Sequence, residues 1–105
     1  MNASGSGGLT PFRERLDAID GRIMELFARR FDVCRQIAAH KHAHDIPMMQ
    51  GKRVVQVREH YLRLGAELHV PVAFTVGFFD LLIAATCEME EDLIAATEAA
   101  ESHRS

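Results

Sequence analysis

One apolar stripe, repeating in helical steps from Phe12 to Ile37, constrains this chain more than any other feature. Phe12, Leu16, Ile19, Ile23, Leu26/Phe27, Val33/Cys34 and Ile37 recur at spacings of three and four, which places them on one side of a helix. The stripe opens at Thr10-Pro11, an N-cap hydroxyl followed by proline at the first helical position, and it predicts a helix to about residue 43. About 33 residues of helix span about 50 Å. A compact chain of this size has a radius of gyration of only about 13 Å. Two shorter neighbours cannot wrap so long a helix. The sequence therefore predicts a second copy of the chain, most simply as a twofold homodimer. A coiled-coil array fits less well, because no heptad is kept and cations interrupt the stripe.

The segment HDIPMMQG ends this helix, since Ile46 precedes Pro47 and the residue before a proline avoids helical backbone. A second helix is predicted over 51–67 on the line Val54, Val57, Tyr61, Leu64 and Leu68. After a short link at His69-Val70, Pro71 starts a third helix reaching about residue 100. Its stripe is Phe79, Leu82/Ile83, Thr86, Met89/Glu90 and Leu93/Ile94. The reading is one all-α domain over 10–100, a flexible Gly/Ser tail over 1–9, and a small, charged end from Ala95 that should fray, leaving 101–105 outside the domain.

Composition excludes several function classes. A net charge of −3 on 105 residues leaves no basic footprint for nucleic acid. No unbroken apolar run approaches the length of a membrane span, and the small, polar start does not read as a signal peptide. Cys34 and Cys87 lie on helical stripes without a short motif, so both are expected as reduced core thiols in a cytoplasmic protein. His40, His42 and His44 alternate, so the three together do not share one helix face, which argues against a three-histidine metal site. Gly51-Lys52 lacks the rest of a phosphate loop. No cofactor site is expected.

The residues that interrupt the stripes carry the chemistry. Arg30 falls seven residues from both Ile23 and Ile37, and Lys41 follows Ile37 by four; both point with the apolar side, about 16 Å apart along the axis. Such cations either snorkel to solvent or bind an anion, because buried charge needs a partner. On the third helix Thr86 and Glu90 are spaced i, i+4 on the Phe79–Ile83 line. Thr86 reads equally as a back-bond to its own helix, and Glu90 as an edge residue facing water. Arg53 follows the proline-broken loop at a helix start that favours anions, or is a plain surface arginine. Arg13 lies about 25 Å from Arg30 along the helix, so one chain cannot bring both to a small ligand. In an antiparallel dimer Arg13 of one chain could reach the Arg30–Lys41 face of the other.

Arg13, Arg30, Lys41, Arg53, Thr86 and Glu90, on three helices of this order and length, resemble the all-helical chorismate mutase family. The segments FRERLDAIDGRIMELFARR, IAAHKHAHDIP and FFDLLIAATCEMEEDLI carry the resemblance over residues 10–95. It implies an intertwined homodimer with two equivalent sites, a basic pocket for a small dicarboxylate, and one arginine (here Arg13) donated across the interface. The implied reaction is a Claisen rearrangement needing no nucleophile, metal or redox cofactor. Arg13, Arg30 and Arg53 would clamp carboxylates with fork-shaped donors. Thr86 would add a hydroxyl donor. Lys41 and a protonated Glu90 would donate to the ether oxygen as it gains charge.

Two positions depart from the usual pattern. Gln50 stands where the family usually has aspartate, and Val54 where it has the glutamate that accepts from the C4 hydroxyl of chorismate. Valine cannot accept, which should weaken binding of a substrate that needs it. IPMMQGKRV is similar to the subgroup acting on 4-amino-4-deoxychorismate, which serves p-aminophenylalanine-derived antibiotic biosynthesis. The competing readings are a plain chorismate mutase, an isochorismate–pyruvate lyase of the same fold, and a non-catalytic helical dimer module.

Overall fold

The computed structural model describes residues 7–47 and 51–104. Residues 1–6 of the expected tail, and Gln50 with the two methionines before it, lie outside the described residues. The chain is three helices, α1 (Thr10–Ala43), α2 (Gly51–Glu67) and α3 (Val72–Arg104), with no strand among the described residues. The all-α class read from the periodicity is what the backbone forms.

Helix ends show how local chemistry sets these boundaries. The amide of Arg13 donates to the Leu9 carbonyl at 2.9 Å, so Leu9 takes the cap position expected for Thr10, and Thr10-Pro11 form the first turn. At the far end of α1 the amide of Ile46 donates to Lys41 O at 2.8 Å, that of Asp45 reaches His42 O at 3.4 Å, and Asp45 sits at φ 55°. This is a Schellman closure with aspartate, one of the few side chains that tolerate left-handed backbone. α2 closes the same way, through Val70 N to Gly65 O at 2.8 Å and His69 at φ 59°. Pro47 follows the first closure and keeps α1 from resuming, whereas Pro71 takes the cap position of α3, its carbonyl accepting from the Thr75 amide at 3.1 Å.

The chain divides into two compact units, one up to Val33 and one from Cys34 onward. In the first, the stripe residues Phe12, Leu16, Ile19, Ile23 and Leu26 are 42–57% exposed. Phe27, Arg30 and Phe31 are half-buried.

The second unit holds the core, with α2 packed on α3. Ala38 at the end of α1 is fully buried, and Phe79 and Leu82 are nearly so; each such large side chain contributes about 1.5–3 kcal/mol. Tyr61 lies edge-on to Phe78 at 5.6 Å and close to Phe79 at 6.2 Å. α2 meets α3 closely at Gly65, where an added Cβ would sit 2.7 Å from Thr75 Oγ1. Thr75 is buried and donates to Pro71 O at 3.2 Å. Val54, Val57, Tyr61 and Leu64 are half-buried as the α2 pattern requires, but Leu68 is 71% exposed. It lies past the last helical turn, where the periodicity no longer applies.

Two expectations are corrected. α3 is helical past the predicted end near residue 100, to Arg104, with Thr97 back-bonded to Leu93 O at 2.9 Å and Glu101 3.1 Å from His42. α3 is also long and apolar enough, by length and composition, to cross a membrane over Val72–His103. Counting unbroken apolar runs missed this because alanines raise the average hydropathy between polar residues. A core helix passes the same test, and α3 turns Phe79, Leu82, Thr86 and Glu90 inward.

Candidate active site

Glu90 is the chemically unusual residue of the core. It is 6% exposed, and its Oε2 has no hydrogen-bond partner among the described residues. A buried acceptor left without a donor costs about 1–3 kcal/mol, more when charged. Burial accordingly holds the Glu90 carboxyl above its ordinary range, against an opposing pull from the Lys41 ammonium. Lys41, half-buried near the end of α1, thus lies within electrostatic reach of Glu90. Its carbonyl is tied into the Schellman closure, so the turn that presents it is well defined.

Thr86 precedes Glu90 by one turn on the same face of α3 and is equally buried. Its hydroxyl donates to Leu82 O at 2.8 Å. The back-bond reading of this threonine describes the observed contact, and its oxygen keeps capacity to accept. On α2, Val54 is half-buried on the inward line while Arg53 is exposed beside it. Lys41, Arg53, Val54, Thr86 and Glu90 all belong to the unit from Cys34 onward; Arg13, exposed, and Arg30, half-buried, belong to the other. Gln50 lies outside the described residues.

The Cys87 thiol is pushed up by burial and by Glu90 and Glu91, which keeps it protonated and a poor nucleophile. Among the described residues no His/Cys/Asp/Glu group is arranged to hold a metal ion. Sequence reasoning missed the His42 Nε2–Glu101 Oε1 contact of 3.1 Å between the ends of α1 and α3. It also missed an open cleft of about 470 Å³ lined by Arg35, Ala85, Glu88, Met89, Asp92 and Leu93. Partners 59 residues apart leave no signal in local periodicity.

A buried carboxyl whose pKa is raised by burial, with an ammonium in electrostatic reach, can when protonated join that ammonium as a hydrogen-bond donor to negative charge developing on an ether or carbonyl oxygen. Comparison with known proteins gives the family of the chain. The family profile of chorismate mutase type II matches residues 12–91. The chain is 34% identical over 93 residues to the 4-amino-4-deoxychorismate mutase of Streptomyces pristinaespiralis, covering 89% of this chain and 72% of the relative. It is 36% identical over 90 residues to the 4-amino-4-deoxychorismate mutase of Streptomyces venezuelae, covering 86% of each. No solved structure matches it. With most of its length inside the family profile and two relatives above 30% identity over most of their length, this chain belongs to the chorismate mutase type II family.

Proposed function

We propose that this enzyme rearranges 4-amino-4-deoxychorismate to 4-amino-4-deoxyprephenate. The ether C–O bond breaks as the new C–C bond forms, within one molecule and with no co-reactant. The observation that carries the reading is the buried Glu90, with an unpartnered Oε2, in reach of the Lys41 charge. Lys41 and protonated Glu90 donate to the ether oxygen as it gains negative charge, the contribution usually largest in such sites. Arg30, Arg53 and Arg13 of the partner subunit clamp the two carboxylates and hold a chair-like conformer. Thr86 adds its hydroxyl, by turning its proton from Leu82 O to the substrate or by accepting from it. Val54 supports the amino substrate, because an inward-facing valine offers no acceptor to a C4 hydroxyl, and Gln50 supplies a side-chain oxygen for the amine. The names of the two relatives support the same substrate.

The intertwined homodimer belongs to this proposal. Its support is the apolar stripe of α1, which stays 42–57% exposed at Phe12, Leu16, Ile19, Ile23 and Leu26 in a single chain and would be covered by a second copy. A cytoplasmic location and a role in p-aminophenylalanine-derived antibiotic biosynthesis complete the proposal. Steady-state assays with chorismate and its 4-amino analogue, side by side, test it. The amino compound should have the higher kcat/KM; preference for chorismate overturns the substrate assignment, and turnover of neither overturns the catalytic reading. Sedimentation equilibrium should return a dimer, and a stable monomer would remove the donated Arg13.

A further inference from the structure

The turn of α1 that carries Lys41 is pinned twice. Its backbone closes through Ile46 N to Lys41 O and Asp45 N to His42 O. Its side chains are joined to α3 through His42 Nε2 and Glu101 Oε1, 3.1 Å apart. Glu101 follows Glu90 by eleven residues, which is close to three turns, so the two share a face of α3. Leu93 and Ile94 are the last large apolar residues of α3. Beyond them its end has no greasy side chain to anchor it, yet it stays helical to Arg104.

We propose that Glu101 is a positioning residue: through His42 it holds the end of α1 against α3, so that Lys41 keeps its place relative to Glu90. The His42–Glu101 pair is partly solvated, at 27% and 59% side-chain exposure, so its strength is small and its value is geometric. It links two elements 59 residues apart, one residue from the ammonium on α1 and on the acid's face of α3. Around His42 stand His40, Lys41, His44 and Asp45 on its own segment and Glu101 from α3. Around Glu90 stand Lys41 from α1 and Cys87 on its own helix. This inference rests on the proposed roles of Lys41 and Glu90, and its test includes a readout that needs no turnover.

The test compares Glu101→Ala and Glu101→Gln in the full-length protein, by kcat, KM, thermal melting and carbon-detected NMR titration of the Glu90 carboxyl. Glu101→Ala should lower kcat about two- to fivefold, the range of an exposed ion pair, with KM within about twofold. It should also move the Glu90 titration to higher pH, because the ammonium that opposes burial is held less closely. Glu101→Gln, whose amide oxygen still accepts from His42, should restore both. An unmoved Glu90 titration with unchanged kcat overturns the proposal. So do equal losses in both variants that simply follow the melting temperature. If the wild-type protein turns over neither substrate, the functional reading fails separately, and the Glu90 titration alone decides whether Glu101 positions Lys41.

Discussion

Replacing Glu90 with glutamine isolates the energetic consequence of burying an acid without a matched donor. The carboxyl is held above its ordinary value of 4.5 by burial, with Lys41 opposing, so between the unfolded and folded values the native state binds more protons than the unfolded chain. Unfolding then releases a proton, and rising pH favours unfolding. The contribution of Glu90 is fully present below 4.5, where both states are protonated. It is lost as pH climbs towards the raised folded value, by up to about 1.4 kcal/mol per pH unit for a single group. Glutamine has the same shape and no titration, so subtracting its profile removes every other ionisable group. Urea unfolding of both proteins at fixed protein concentration, from acid to mildly alkaline pH, should show wild type losing ground against Glu90→Gln as pH rises and levelling off above the folded value. Turnover should follow the same proton: wild-type kcat declines with rising pH, and the glutamine variant, which donates at any pH, gives a flatter profile. A stability difference that stays flat, or that favours wild type at higher pH, would refute the argument that burial outweighs Lys41.

Lys41→Ala should fold with wild-type helicity but lose about 3–4 kcal/mol of transition-state stabilisation, the scale for one oxyanion donor, so single-turnover assays should show kcat reduced by more than a hundredfold. Gly65→Ala gains about 1 kcal/mol of helix propensity but forces its Cβ to 2.7 Å from a Thr75 side chain held by Pro71 O; overpacking of about 1–3 kcal/mol should win, lowering Tm by several degrees. Adding Thr75→Ala leaves an ordinary 3.5 Å contact, and the double variant should be more stable than the sum of its singles allows. Val54→Glu should shift relative kcat/KM towards chorismate by supplying an acceptor for the C4 hydroxyl; an unchanged ratio in paired assays would detach Val54 from substrate choice.

Proline and turn chemistry divides the sequence into helices by itself, and α2 spans the 51–67 that its apolar line predicts. The α3 stripe was equally legible: Phe79, Leu82, Thr86 and Glu90 turn inward as their spacing requires. Less legible was the end of α3, where runs of alanine and charge resemble a fraying terminus but the helix runs to Arg104 with Glu101 3.1 Å from His42 of α1. The proton of Thr86 was undetermined as well, since spacing cannot say whether a buried hydroxyl turns to its own helix or to a ligand; here it turns to Leu82 O.

Periodicity, capping and composition suffice for the helical class, the inward faces and the identity of the anomalous polar residues, because these depend on interactions within a few turns of chain. Tertiary structure alone decided that the Glu90 acid is buried with an unpartnered oxygen, that Lys41 opposes its protonation, and that Gly65 makes room for Thr75. Each of these is a balance between groups far apart in sequence, and desolvation and contact distance exist only once the chain has brought them together.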